Sequence, residues 1–118
     1  MIDLSDYRTQ IESALAYGGG THEFEDVVAS VLKEKMQVWV NNESIAITEI
    51  IVYPRKKTLH CFLAAGKAKD IIEMMPSAAA WGRAYGCTKF TISGRKGWSR
   101  VLAKHGWTPI LYTLGMDL

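Results

Sequence analysis

Four side chains in this sequence have the chemistry to move protons or engage an electrophile, and their neighbours decide what they can do. Glu49 lies in Ser44–Tyr53, a run whose alternation puts it on one face with Ile45, Ile47 and Ile51. A carboxylate among aliphatic side chains is desolvated, and desolvation raises its pKa toward the range of a useful general base. The structural alternative is a Glu paired with an arginine or standing at the exposed end of the strand. His60 lies in the following apolar run and is a second candidate base. Tyr112 and Tyr85 are two of five phenols that could donate a proton to a leaving group, and nothing in the sequence singles them out. Lys67 follows Gly66 at the start of a helical pattern, in Ala65-Gly66-Lys67-Ala68. The free N–H groups of such a turn and helix start suit an anion; a plain turn is the alternative. His22 reads as a surface histidine and His105 as a packed one. Cys61 and Cys87 show no CxxC spacing, which argues against a metal site and for two reduced, buried thiols. No Ser-His-Asp or Cys-His arrangement is suggested.

The elements that must position these groups follow from periodicity. The 118 residues fit one domain, 1–118, with 48% hydrophobic and 22% charged residues, an ordinary globular composition. Leu4, Tyr7, Ile11, Ala14 and Leu15 recur at helical spacing, giving an N-terminal helix within 1–17, and Gly18-Gly19-Gly20 forms a joint after it. Thr21 is placed to cap a second helix carrying Phe24, Val27, Val28, Val31 and Leu32. Strands are expected at Met36–Val40, Ser44–Tyr53 and Thr58–Ala64, the second apolar on both faces and so inside a covered sheet. A helix follows over 68–85, kinked or restarted at Pro76. Next come a short strand at Phe90–Ser93, a short helix carrying Trp98, Val101 and Leu102, and a last strand at Trp107–Leu114. The order is α-α-β-β-β-α-β-α-β, an α/β mixed sheet flanked by helices.

Charge is divided along the chain. Residues 1–53 carry three bases against nine acids, and residues 54–118 eleven bases against three acids. The second half therefore offers an anion-binding face, unless the two halves neutralise each other in the fold. Arg95, Lys96, Arg100 and Lys104, with Trp98 and Trp107, have the composition of a small nucleic-acid-binding module. The plainer reading puts both tryptophans in the core and the bases in solvent. No apolar run approaches a membrane span, and the acidic N-terminus lacks the pattern of a signal peptide, so a cytoplasmic protein is expected.

Two stretches carry a family resemblance: Thr58–Ala64 with its glycine turn and the helix ending Trp81-Gly82-Arg83-Ala84-Tyr85-Gly86, and Lys89–Ser93 followed by Val101-Leu102-Ala103-Lys104-His105-Gly106-Trp107. Over most of residues 21–118 the chain resembles the acyl-CoA N-acyltransferase (GNAT) superfamily. Tyr53-Pro54-Arg55 and Gly94–Arg100 resemble small GNAT-related proteins of tailed phages, some of which are internal virion components. The resemblance implies acetyl-CoA as ligand, its pyrophosphate held at Ala65, Gly66, Lys67 and Ala68, and no metal. It implies Glu49, His60 and Tyr112 as candidate catalytic residues. The run Leu63-Ala64-Ala65-Gly66-Lys67-Ala68 has one glycine where the family's Q/R-x-x-G-x-G/A loop has two. Leu102 stands where many members carry the acid tyrosine. Both departures favour a protein working mainly by binding, with weak or no acetyl transfer, through contact with a phage or host partner in the host cytoplasm or a phage particle. An active acyl-CoA-dependent N-acetyltransferase is the alternative, and the nucleic-acid module a second one.

Overall fold

The computed structural model describes residues 2–118. A 3₁₀ turn at Leu4–Tyr7, capped by the Asp3 carboxylate on the Ser5 N–H, runs into α1 (Arg8–Ala16). α2 (Phe24–Leu32) begins two residues later than Thr21 would cap it: Glu23 stands at its cap and donates its N–H to Asp26 at 2.8 Å. Thr21 instead bonds His22. The sheet follows as β1 (Met36–Asn41), β2 (Ser44–Val52) and β3 (Lys57–Ala65). α3 (Ala68–Ala84), β4 (Lys89–Ile92) and α4 (Gly97–Ala103) complete the regular structure.

The strand order is β1-β2-β3-β4, with β1–β2 and β2–β3 antiparallel and β3–β4 parallel. A parallel pair needs a crossover connection, and α3 supplies it between β3 and β4. On one face, α1 and α2 cover Ile45, Ile47, Leu63 and Met36 together with Ile11, Leu15, Phe24 and Val27. On the other, α3 covers Ala46, Cys61, Leu59 and Cys87 through Ile71, Met74 and Ala78. Gly82 is what lets α3 approach β3: a Cβ there would stand 3.1 Å from Leu59 Cδ2. α3 runs without a restart at Pro76. That residue is on the exposed side of the helix, where water can bond the carbonyl that proline leaves without a donor.

The last strand expected, Trp107–Leu114, does not form. Residues 107–118 form no strand, and Ile110, Leu111, Tyr112, Leu114, Met116 and Leu118 are all exposed. Pro109 withholds a ladder donor, and the tail buries only Trp107, edge-on to Phe90 at 5.0 Å. The order among the described residues is therefore α-α-β-β-β-α-β-α.

One irregularity organises the sheet. Ile47 pairs with Leu63, but Thr48 pairs with Cys61, so Phe62 is an extra residue in β3. Such a bulge shifts the alternation of side chains by one. As a result His60 and Leu63, three apart, share a face.

Candidate active site

The bulge brings His60 opposite Glu49 across the β2–β3 ladder. Both stand on the face covered by α1 and α2, past the edge of that cover: β2 is buried from Ser44 to Thr48, then becomes half-buried at Glu49 and exposed by Val52. The two candidate bases thus sit side by side on an open part of the sheet. On the other side of His60, β4 supplies two hydroxyls. Thr91 is its register partner and lies 2.8 Å from His60 Nδ1. Ser93, two residues on and so on the same face, lies 3.2 Å from His60 Nε2. The Ser93 N–H donates to the Cys61 carbonyl at 3.2 Å, which fixes it past the end of the strand. Burial lowers the His60 pKa from its ordinary value, and the Glu49 charge opposes that shift. Around neutral pH the imidazole is therefore unprotonated and able to accept a proton.

Sequence reasoning singled out Glu49 and His60, which the ladder sets side by side, and did not single out Thr91 and Ser93. The available signal was the alternation of β4, which puts Lys89, Thr91 and Ser93 on one face; their approach to His60 depends on the register. His22 is half-buried against Phe62, ring centroids 4.6 Å apart, rather than on the surface. His105 is exposed rather than packed.

The expected anion site is at the start of α3. Gly66 has φ +120°, and an added Cβ would lie 2.6 Å from Ser44 Cβ. The Lys67 N–H is already taken, donating to the Ser44 hydroxyl at 2.9 Å. That hydroxyl donates in turn to the Asp70 carboxylate at 2.8 Å, which also accepts from the Asn42 amide at 3.0 Å. These bonds, from Asn42 first and Ser44 second, hold the Asp70 carboxyl below the usual range. The helix start thus already holds one negative group in its first turn, the place its dipole favours. Beside it β3 outruns β4. β4 pairs with Thr58–Cys61 only, which leaves Phe62–Ala65 without a strand on that side.

Tyr112 lies in the exposed tail, away from any regular element. Tyr85 is exposed and stacks on Trp81 at 4.5 Å. Leu102 is fully buried. Cys61 and Cys87 are buried free thiols, and burial pushes Cys61 up to about 12. Among the described residues no cluster of His, Cys, Asp and Glu is grouped to hold a metal. Trp98 packs on the α3-side core and Trp107 on Phe90, so neither offers a free stacking face; Arg95 lies over the Tyr17 ring at 4.6 Å. A groove of about 420 Å³ opens on the α3 side of the sheet, at the free edge of β1, lined by Trp39, Val40, Asn41, Glu73, Met74 and Ser77. It lies at the Asn41 end of β1, whereas Glu49 pairs at the Met36 end, so this groove and the bases do not coincide. Among the described residues no helix is long and apolar enough to cross a membrane.

No family model matches the chain, and no curated protein does. Solved structures do. A probable acetyltransferase superposes with TM-score 0.70 at 8% identity, over 97% of this chain and 92% of that one. A predicted acetyltransferase of Clostridium acetobutylicum, solved with acetyl-CoA, gives 0.66 at 12% identity over 98% and 92%. An acetyltransferase of Trypanosoma brucei gives 0.64 at 14% identity over 99% and 96%. At these identities the likeness is one of fold, and the fold is that of the GNAT-like acetyltransferases.

Proposed function

We propose that the chain binds acyl-CoA where β3 and β4 part, and that acyl transfer from it is weak. The observation that carries this is the stretch Phe62–Ala65, which has no strand on its β4 side and lies directly before the N-terminus of α3. An extended ligand can bond such a free strand edge, and its phosphates suit the helix start beyond it. The Clostridium acetobutylicum structure of the same fold holds acetyl-CoA, which supports the assignment. Of the residues expected to hold phosphate, Ala65, Gly66 and Ala68 supply backbone and Lys67 its ammonium group, since the Lys67 N–H is engaged by Ser44.

Acyl-CoA supplies an acyl group activated as a thioester. His60 is the group that takes the proton of an attacking nucleophile, and Glu49 across the ladder stabilises the imidazolium that forms. The departing thiolate has no phenol: Leu102 is buried, and Tyr112 is in the exposed tail. General acid catalysis contributes about 10²- to 10⁴-fold, so its loss leaves turnover slow.

Calorimetric titration with acetyl-CoA, beside a thiol-release assay on a panel of amines and peptides, tests the reading. Saturable binding, weakened by Lys67→Glu, with thiol release little above background, is the expected result. Absence of binding overturns the ligand. Robust turnover that collapses in Glu49→Gln overturns the weak-transfer reading and installs an N-acetyltransferase.

A second reading, contact with a phage or host protein, has one observation in its favour. Six large apolar side chains between residues 110 and 118 are exposed, and exposed apolar clusters mark interaction surfaces.

A further inference from the structure

His60 has a hydroxyl on each ring nitrogen, and the two are not equivalent. Thr91 is half-buried in the ladder, directly opposite His60. Ser93 is exposed and lies beyond the last paired residue of β4. When Nδ1–H donates to Thr91 Oγ1, Nε2 is left with a lone pair facing the Ser93 hydroxyl. The tautomer is then fixed by the bond on the far side of the ring, as in a base oriented by a third group. The Thr91 bond satisfies the part-buried ring nitrogen, and water can serve the exposed one, so the serine is surplus to that need.

We propose that Ser93 is a nucleophile, activated by His60 and oriented through Thr91, and that it accepts an acyl group from an activated ester or thioester. The Ser93 Oγ–H proton passes to His60 Nε2 as Oγ bonds the acyl carbonyl carbon. The bond from that carbon to the leaving sulfur or oxygen breaks, and the leaving group departs with the electron pair. The imidazolium gives its proton to solvent, and the departed thiolate or phenolate takes any proton it needs from water. In the second step water or an amine attacks the acyl-Ser93 ester carbon and His60 takes its proton; the bond from that carbon to Oγ breaks, and His60 returns the proton to Ser93 Oγ. Glu49, whose charge reaches His60, stabilises the imidazolium in both steps. For acyl-CoA as donor this rests on the function proposed above; for a simple activated ester it does not.

The test therefore uses p-nitrophenyl acetate first and acetyl-CoA second. The intact protein should give a burst of p-nitrophenol of about one equivalent per chain, the fingerprint of covalent catalysis. Peptide mapping should find acetyl on Ser93. Ser93→Ala, an exposed site where truncation spares the fold, should abolish the burst. His60→Ala should slow it about 10²- to 10⁴-fold. Thr91→Val should reduce it and alter its pH profile, which a purely structural role would not do. In the intact protein the burst rate should fall only below pH 6.5, the ordinary value from which His60 is lowered. A burst that survives Ser93→Ala, or acetyl found on lysines alone, overturns the proposal. A Ser93 burst without acetyl-CoA binding leaves the nucleophile standing and removes the acyl-CoA reading; binding without the burst does the reverse.

Discussion

Gly66→Ala should destabilise the chain by about 2–6 kcal/mol, and the cause is local. At φ +120° an L-residue is strained, and such backbone strain costs of order 1–3 kcal/mol. The new Cβ would also stand 2.6 Å from Ser44 Cβ and 2.7 Å from Ser44 Cα, far inside contact distance. Ser44 is fully buried and begins β2, so neither its backbone nor its side chain can retreat into solvent. Displacing its hydroxyl leaves the Lys67 N–H unpaired, which costs about 1–3 kcal/mol more. The sum is a large fraction of the 5–15 kcal/mol that a domain of this size has in all. Urea unfolding followed by circular dichroism measures it: the midpoint should fall at unchanged slope. Ser44→Gly beside Gly66→Ala should recover part of the loss, because it removes the side-chain clash while the strain and the 2.7 Å approach to the residue 44 Cα remain. A loss below about 1 kcal/mol for Gly66→Ala would refute the reasoning, since strain alone should reach that figure.

Leu102→Tyr should not create a general acid. The position is buried, so the larger side chain overpacks the core at about 1–3 kcal/mol, and thiol release should stay flat while thermal stability drops. Tyr112→Phe should leave acyl transfer unchanged, and deleting residues 109–118 should change unfolding stability by less than about 0.5 kcal/mol, because these residues are all exposed; a larger loss in urea unfolding would mean that the tail is covered. Stability should decline as pH falls below 6.5 toward the lowered folded pKa of His60: in that window the unfolded chain binds the proton and the folded chain does not, so protonation draws the equilibrium toward unfolding. His60→Gln should flatten that part of the profile, measured as denaturant midpoint against pH. Cys61 should resist thiol reagents in the folded chain at neutral pH and react on unfolding, because burial holds its pKa near 12.

The elements were legible in the sequence wherever the signal was local. The alternation of Ser44–Tyr53, the helical pattern over 68–85 and the turn at Gly66 each follow from a few adjacent residues, though the structure buries Ile71, Met74 and Ala78 more deeply than Met75 and Ala79. Parallel pairing of β3 and β4 followed from the helix between them. Glu49 and His60 were legible as candidates because polar residues in apolar strands stand out. The last strand was misread because Trp107–Leu114 has the right composition, but pairing is not a property of composition: a strand needs a partner edge, and the tail ends without one. The site itself was decided by tertiary structure. Phe62 bulges only because Ile47 and Thr48 pair around it, and nothing in Cys61-Phe62-Leu63 announces that. The bulge sets which face His60 shares, and the β3–β4 register sets which hydroxyls reach it. Ser93 and His60 are 33 positions apart, and no local preference relates them. Periodicity is fixed by bonds between neighbours, whereas register is fixed by which distant surfaces bury best against each other. The sequence therefore determined which residues could do chemistry, and the packing of the sheet determined which of them meet.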